Sequence, residues 1–374
     1  MRSRAGYGHH DCTRKTRSEP FGQTGCYCGA GVVSRLNGID IARYLAFVGM
    51  VLVNFRLASE VSAGPDVGSQ ITDALEGRAA ALFVVLAGVG ASLGKGAWHL
   101  TLRRALFLFV IGMLNMLIFE ADILHFYALY FIVAMGFMRR SNNTLLLGTA
   151  GFVLIGFVAQ LVLDFDRGWN WNTLSYANFW TIEGFLRHSF FNGWHPVFPW
   201  AAFLLWGMWL GRQALGRWTV QIAMVLAGGL VAAAAHVASA ALIGDPEIGV
   251  LMTTEPIPAG PLYMLAGGAT ATAMLGAVLI ATPILLPLPL IRRLCDAMIV
   301  SGRQTLTHYV AHILIGMGTL EAFGLLDGSL KPMQIFWISI AYCAFAALFS
   351  WLWSHKFKRG PLEAMMRLIT EGKT

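Results

Sequence analysis

The sequence predicts an all-α, polytopic integral membrane protein with about ten transmembrane helices and both termini in the cytoplasm. Of its 374 residues, 56% are hydrophobic and only 13% are charged, whereas soluble domains have about 45–50% apolar and about 25% charged residues. The apolar residues form continuous runs, which excludes a transmembrane barrel because barrel strands alternate apolar and polar residues. The distribution of lysine and arginine then sets the orientation of the runs.

Residues 1–34 form a basic tail rich in glycine and cysteine. The tail lacks the uninterrupted apolar core of a secretory signal peptide. Its Cys26 and Cys28 have no second matching pair, so no metal site is predicted there. We expect the tail to be disordered or to lie upstream of a true start near Val32 or Val33.

A transmembrane domain is predicted over 35–355, followed by a basic cytoplasmic tail over 356–374. Each apolar run in it is close to the length that crosses roughly 30 Å of hydrocarbon. The runs cover 39–57, 75–94, 103–120, 123–138, 144–163, 196–211, 217–243, 261–286, 299–318 and 334–354.

The 27 lysines and arginines are unevenly distributed between the loops. With the N-terminus inside, most of them fall on the cytoplasmic side, as the positive-inside rule requires. An odd number of spans would break this pattern. Orientation in a membrane therefore explains the net charge of +7, and the predicted surroundings are membrane lipid and not nucleic acid.

The largest outer loop, 164–195, mixes tryptophan, tyrosine and phenylalanine with polar residues. Such a segment is typical of an interfacial helix in the aromatic belt of a membrane protein. An alternative interpretation is a lid whose aromatic faces receive an amphipathic or sugar-like acceptor.

The outer side is rich in acids and histidines, among them those of the turn Glu120–His125 between two apolar runs. Such groups are costly at a membrane unless they are hydrated, paired or used. Histidine titrates near neutrality, so His125, His195 and His312 invite acid–base chemistry. His308 lies four residues before His312, but no carboxylate pair accompanies them. We therefore predict no metal site, and for His308 a hydrogen bond to a neighbouring helix.

The inner side is rich in arginine. Arg103, Arg104 and Arg303 at cytoplasmic helix ends are what the orientation rule predicts. Arg43 differs, because it lies about one turn inside the first span and three residues after Asp40. Two interpretations stay open: an Asp40–Arg43 ion pair that stabilises the bundle, and an anion site for phosphates.

No motif of soluble nucleotide or hydrolase chemistry is present in the sequence. The glycines Gly88, Gly90, Gly94, Gly267 and Gly268 fall inside predicted spans. Small residues there predict close packing between helices.

A set of short motifs resembles the YeiB-like bacterial membrane proteins of unknown function, over nearly everything after residue 34. The motifs are Arg35-Leu-Asn-Gly-Ile-Asp-Ile-Ala-Arg43, Val53-Asn54, Glu76-Gly-Arg-Ala-Ala-Ala-Leu-Phe83, Leu102-Arg-Arg104, Asp122-Ile-Leu-His125, Pro196-Val-Phe-Pro-Trp200, Gly211-Arg212, Gly302-Arg-Gln-Thr-Leu-Thr-His-Tyr309 and Arg359-Gly-Pro-Leu-Glu363.

More distantly, the first three spans resemble the catalytic domain of heparan-alpha-glucosaminide N-acetyltransferase, in the transmembrane acyltransferase superfamily. The resemblance implies transfer of an acyl group from cytosolic acyl-CoA to an acceptor across the membrane. Asn54 matches an asparagine motif of that family, but the loop 56–73 lacks the histidine that the family places there. Either another residue replaces it, with His125 the first candidate and His312 the second, or acyl transfer has been lost.

The leading hypothesis is an acyltransferase that moves an acyl group, such as acetyl, from acyl-CoA. His125, oriented by Asp122 or Glu120, would take the proton of the acceptor, and Asn54 or Arg78 would stabilise the oxyanion. The CoA phosphates would be held by four arginines, Arg43, Arg103, Arg104 and Arg303.

The acceptor would be a glycan or small molecule outside the cytoplasm, with no tightly bound cofactor, and the location would be the bacterial cytoplasmic membrane. The sequence is compatible with a homodimer. One alternative is a transporter or permease whose outer acids and histidines bind a proton or solute. Another is a non-catalytic scaffold or sensor.

Overall fold

A computed structural model describes residues 36–94 and 97–372, and the predictions for the tail 1–34 lie outside these residues. The structure is 73% helical, which confirms the all-α prediction. Its α-helices are α1 Asn37–Ala58, α2 Val67–Leu75, α3 Arg78–Leu93, α4 Trp98–Asn115, α5 Leu124–Phe137, α6 Asn142–Val162, α7 Ile182–Arg187, α8 Val197–Leu210, α9 Trp218–Leu242, α10 Pro261–Leu285, α11 Pro289–Gly302, α12 Thr305–Ala311, α13 Gly318–Ala322, α14 Pro332–Ser354 and α15 Pro361–Glu371.

Six helical segments of the described chain are long and apolar enough to cross a membrane. They are Asn37–Ala58, Val67–Leu93, Asn142–Val162, Trp218–Leu242, Pro261–Leu285 and Pro332–Ser354, and α5 and α8 are shorter apolar helices. A multi-pass membrane protein is therefore confirmed. The count of ten spans and the cytoplasmic side of both termini stay predictions.

Two helices show most directly that lipid surrounds the bundle. Only 17% of the most apolar window of α6 and 22% of that of α9 is buried inside the protein, against 56% for α1 and α10. Side chains such as Leu147 and Leu230 are 73% exposed. Apolar surface of this extent is stable only where hydrocarbon covers it.

α1 is the central helix, since it packs against α3, α10, α11 and α14. The closest approaches to its neighbours use glycine. A Cβ atom on Gly302, at the end of α11, would lie less than 3.0 Å from the backbone of Asp40 in α1. Only glycine therefore fits at this position. α11 ends at Gly302 and α12 begins at Thr305, so the predicted run 299–318 is divided between two helices near its start.

α3 and α8 are packed backbone to backbone. A Cβ on Gly88 would meet the carbonyl oxygen of Leu204, and a Cβ on Gly207 would meet that of Val85, each at less than 3.0 Å. The close packing predicted for Gly88 is confirmed. This contact holds α3 in place beside α1, and α3 lines both cavities described below.

The aromatic loop after α6 contains a two-stranded antiparallel hairpin, in which Trp169 pairs with Tyr176 and Asn170 with Ser175. α7 and a π-helical turn, His188–Asn192, follow. The Asn192 amide donates to the carbonyl oxygens of Phe165 and Arg167 and accepts from the Tyr176 hydroxyl. Helix in this loop is thus short, and the hairpin was not predicted because each of its strands has only two residues.

Candidate functional site

Two cavities lie at the two ends of α1. The first, which we name the arginine cavity, has a volume of about 440 Å³ and contains Arg43 and Arg104 in its lining. Most of its remaining wall is apolar, with Phe83 and Phe131 among the lining side chains. The hydroxyl of Tyr127, which also lines it, is buried and has no hydrogen-bond partner among the described residues.

The second, which we name the carboxylate cavity, has a volume of about 710 Å³. Four carboxylates line it, Glu60, Asp73, Glu76 and Glu120. Arg56 forms ion pairs with two of them, at 2.5 Å to Asp73 and 2.9 Å to Glu76. The excess of negative charge favours cationic or hydroxyl-rich ligands over anions.

The aromatic loop covers part of the carboxylate cavity. Asn172, Thr173 and Leu174 at the hairpin tip line it, together with Trp194 and His195. The Trp194 indole nitrogen and the His195 Nδ1 are buried without a protein partner in the part of the chain that the structure describes. A ligand could therefore satisfy these two atoms, and the position of the hairpin favours the lid interpretation of this loop.

The wall between the cavities includes α1 and α3, which contribute residues to both. On α3, Ala80 lines the carboxylate cavity and Phe83 lines the arginine cavity, about 4.5 Å of helix apart. On α1, Met50 lines the carboxylate cavity and Arg43 lines the arginine cavity, about 10.5 Å of helix apart.

His312 lies in this wall and is fully buried. Its Nε2 is 3.1 Å from the amide nitrogen of Asn54, which lines the carboxylate cavity. Its Nδ1 is hydrogen-bonded to the backbone carbonyl of Tyr309, whose side chain lines the arginine cavity. A carbonyl only accepts, so in the neutral ring Nδ1 carries the proton and Nε2 keeps its lone pair. The lone pair of His312 thus faces Asn54.

A local irregularity determines where His312 points. The helix that begins as α12 changes at His312 into a π-helical turn, His312–Met317, before it continues as α13. Such turns often mark functional sites because they rotate side chains out of the regular α-helical positions. Four residues earlier, His308 contacts Ser350 of α14 at 2.5 Å, which confirms the interhelical hydrogen bond predicted for it.

Asp122 caps α5. Its carboxylate accepts from the backbone of Leu124 at 2.7 Å and of His125 at 3.4 Å, and from the Asn115 side chain at 3.0 Å. The His125 Nδ1 is 3.6 Å from Asp122, which is longer than a hydrogen bond. Neither ring nitrogen of His125 has a hydrogen-bond partner among the described residues.

His125 lines neither cavity, and its catalytic role stays a prediction. Glu120 lines the carboxylate cavity and accepts from the backbone of Tyr176 at 3.1 Å. Arg78 donates to the backbone oxygen of Glu76 at 3.3 Å and also lies outside the lining of both cavities. Of the predicted outer residues, the structure therefore brings Asn54 and His312 into contact. Asn54 and Glu120 line the carboxylate cavity, whereas His312, like His125, lines neither cavity.

The predicted arginines divide into two groups. Asp40, which is only 1% exposed, binds Arg43 at 3.1 Å and Arg303 at 3.1 Å, so the predicted Asp40–Arg43 ion pair is confirmed. Arg104 contacts Glu371 at 2.6 Å, and Arg103 donates to the backbone oxygen of Thr370 at 3.1 Å. Arg43 and Arg104 line the arginine cavity, whereas Arg103 and Arg303 do not.

Sequence reasoning missed Tyr309, Tyr127 and α15 as parts of the site. Tyr309 accepts from the backbone N–H of Ile123 at 3.0 Å, which ties α12 to the turn before α5. Its only signal in the sequence is that it ends the motif that begins at Gly302. α15 had a comparable signal, because the motif 359–363 runs into its first turn.

His125, His188 and His195 surround Phe126 beneath the hairpin, with ring centroids 3.9, 5.4 and 5.8 Å from that of Phe126. Burial lowers the pKa of His188 well below 6.5, and the neighbouring His125 and His195 lower it further. Burial, with His125 as a second cause, lowers the pKa of His195 to about 3. Both rings are therefore neutral in the folded protein at neutral pH.

We expect the protein to lose stability as the pH falls below 6.5. Below this pH, His188 and His195 are protonated in the unfolded chain but stay neutral in the folded protein. Each residue therefore lowers the free energy of unfolding by about 1.4 kcal/mol per pH unit below 6.5. For His195 the loss continues until the pH reaches about 3. Melting temperatures of purified protein between pH 7.5 and 5 measure this, and His188→Gln should show a shallower decline. An equal decline in that variant would contradict the prediction.

Two family models match the chain. The model described as "Heparan-alpha-glucosaminide N-acetyltransferase, catalytic" matches residues 35–244, which include Arg43, Asn54 and His125. The model described as "Protein of unknown function (DUF418)" matches residues 248–373, which include His312 and α15. No curated protein matches the chain. The contact between Asn54 and His312 joins the parts matched by the two models.

Proposed function

The chain belongs to the family of heparan-alpha-glucosaminide N-acetyltransferase catalytic domains, and we propose that it is a membrane-embedded acyltransferase. In this proposal an acyl group passes from cytosolic acyl-CoA in the arginine cavity to an acceptor in the carboxylate cavity. The observation that carries the proposal is the link Asn54–His312–Tyr309, in which His312 joins a residue of the carboxylate cavity to one of the arginine cavity.

The arginine cavity supplies what an acyl-CoA needs. Guanidinium groups present a planar fork of donors that suits phosphate oxygens, and Arg43 and Arg104 line this cavity. The apolar wall around Phe83 suits the pantetheine arm and the acyl chain. The proposed cytoplasmic position of this cavity agrees with the orientation that the positive-inside rule predicts.

The carboxylate cavity supplies the acceptor site. Its four carboxylates favour an acceptor that carries an amine or several hydroxyls, such as a glycan or a small polar molecule. The Trp194 indole N–H, which has no partner among the described residues, can donate to such a ligand. The hairpin tip at 172–174 then closes the site against water.

The chemistry is a direct transfer. The acceptor nitrogen or oxygen attacks the thioester carbonyl and forms a tetrahedral oxyanion, which collapses with cleavage of the carbon–sulfur bond. The acceptor displaces the Asn54 amide from His312 Nε2, so that Nε2 takes the acceptor proton and returns it to the departing thiolate, while the Asn54 amide N–H stabilises the oxyanion. His125 stays the alternative base, and the variants in the Discussion separate the two.

We expect acetyl-CoA to stabilise the purified protein against heat. At about 100 times its Kd, a ligand that binds only the folded state adds about 2.7 kcal/mol to the free energy of unfolding. Arg43→Gln should weaken this protection, because it removes a guanidinium from the cavity wall. Arg212→Gln is the matched control, since Arg212 donates to the backbone oxygens of Arg140 and Met138 and lines neither cavity.

The activity itself is tested in vesicles. Labelled acetyl-CoA is supplied on the Arg43 side and a mixture of amino sugars and polyols on the opposite side, and label is sought in the acceptors. Label transfer supports the proposal. Acetyl-CoA that neither protects the protein nor yields labelled product contradicts it.

A transporter is the second candidate function. Two cavities at the two ends of α1 also suit alternating access to a solute. Uptake of a cationic solute into vesicles, together with no protection by acetyl-CoA, would favour this alternative.

A further inference from the structure

The last helix, α15, closes one side of the arginine cavity. It packs against α4 and α12, and its Met366 lines the cavity beside Arg104. This helix lies in the part of the chain matched by the model of unknown function, and the proposed reaction assigns it no role.

Glu371, at the end of α15, forms an ion pair with the guanidinium group of Arg104. Its Oε1 is 2.6 Å from Arg104 Nη2, and its Oε2 is 2.6 Å from Arg367 Nε. One carboxylate therefore joins two guanidinium groups at the edge of the cavity. Two arginines that converge on one anion form the arrangement that binds a phosphate group, and the carboxylate now fills that position.

The first turn of α15 is anchored differently from its last two turns. Glu363 accepts from the backbone nitrogens of Leu306 at 2.8 Å and Thr307 at 3.1 Å, and from the Thr307 hydroxyl at 2.5 Å. It thereby caps the N-terminus of α12 and fixes the start of α15. Only glycine fits at position 360, because a Cβ there would lie less than 3.0 Å from the Glu363 carboxylate.

The far end of α15 is held by the ion pairs of Glu371 and by Arg103, which donates to the backbone oxygen of the buried Thr370 at 3.1 Å. The side chains of Arg104 and Arg367 are 43% and 39% exposed, and ion pairs of partly exposed groups contribute little to stability. Leu368 and Ile369 on α15 are 55% and 62% exposed, so a released end can rest on the apolar part of the membrane surface.

We propose that Glu371 is a built-in occupant of a phosphate site formed by Arg104 and Arg367, and that residues 366–371 act as a latch displaced by a CoA phosphate. The proposal rests on the proposed function only in naming CoA as the ligand. A phosphate monoester carries a charge of about −1.5 to −2 at neutral pH, so it competes with a single carboxylate for both guanidinium groups. Glu363 is the anchor of α15, because its hydrogen bonds keep the first turn in place.

Glu371→Gln removes the competing charge with little change in shape. We expect this variant to bind CoA about fivefold more tightly. The ion pairs of Glu371 stabilise only the CoA-free protein, so CoA no longer has to break them when it binds. Binding of pantetheine, which has no phosphate, should be unchanged. Asp296→Asn is the matched control, since it also removes one carboxylate from an exposed ion pair, with Arg292 at 3.8 Å, away from the cavity.

Hydrogen exchange measured by mass spectrometry follows the latch without any reaction. We expect residues 366–371 to exchange faster in Glu371→Gln than in the wild type, and faster in the wild type when CoA is added. Residues 361–365 should stay protected in both cases. Slower exchange of 366–371 with CoA, equal CoA affinity in the two proteins, or a lack of CoA binding by both would overturn the latch.

The experiments distinguish a failure of the latch proposal from a failure of the proposed acyl transfer. A protein that binds CoA more tightly after Glu371→Gln and opens 366–371, but transfers no acyl group, keeps the latch and loses the proposed reaction. Acyl transfer at equal CoA affinity in the wild type and in Glu371→Gln keeps the reaction and loses the latch.

Discussion

His312→Gln is expected to lower the rate of acyl transfer by about 10²–10⁴-fold, the usual contribution of a general base. The glutamine side chain can still accept a hydrogen bond from Asn54, but it cannot act as a base near neutral pH. His312 is buried between the cavities, and its Nε2 lone pair faces Asn54. The binding of acetyl-CoA, measured by thermal protection, should change little, because His312 does not line the arginine cavity.

Two further variants make this test selective. His308→Gln alters a buried histidine one turn earlier in the same helix, which contacts Ser350 and lines neither cavity, so it should keep transfer within a few-fold of the wild type. His125→Gln addresses the residue that the sequence favoured. Normal transfer by His312→Gln together with loss of transfer in His125→Gln would assign the base to His125.

Gly207→Ala is expected to destabilise the protein by about 1–3 kcal/mol, the usual cost of overpacking. Alanine in place of glycine normally stabilises a helix by about 1 kcal/mol. Here the new Cβ would lie less than 3.0 Å from the backbone of Val85 in α3, and two backbones can separate only by moving whole helices. α3 carries Ala80 and Phe83, so the wall between the cavities should move as well.

Gly229→Ala is the control for this prediction. Gly229 lies in the middle of α9, and a Cβ there would meet nothing within 4 Å. It should leave the melting temperature unchanged or raise it slightly, as helix propensity predicts. If Gly207→Ala had the same melting temperature as the control, the α3–α8 contact would tolerate an added Cβ and the prediction would be wrong.

The helices of the apolar runs could be predicted closely, because run length and hydropathy are local properties of the chain. α1, α5, α6, α8, α9, α10 and α14 begin and end within two residues of the predicted runs. The run 103–120 was wrong at both ends, since α4 covers Trp98–Asn115. The Asn115 side chain at its end donates to Asp122 in the turn that follows.

The candidate site could be predicted only in part. Asn54, His312, Arg43 and Arg104 were named from residue type and predicted depth in the membrane, and the structure places all four at the cavities or in the wall between them. Depth alone does not tell which way a side chain points. The sequence therefore placed His125 before His312, although the His125 ring packs against Phe126 and His188.

By itself, the sequence determined that the chain is an all-helical, multi-pass membrane protein, because a hydrophobic run needs no partner to prefer lipid to water. It also determined the family, through motifs spread over nearly the whole chain. Only the tertiary structure decided which ionisable groups share a cavity, that Glu371 rests on Arg104, and that His312 contacts Asn54 from 258 residues away. These contacts depend on how α1, α12 and α15 pack against one another, and helix packing is set by side chains far apart in the sequence.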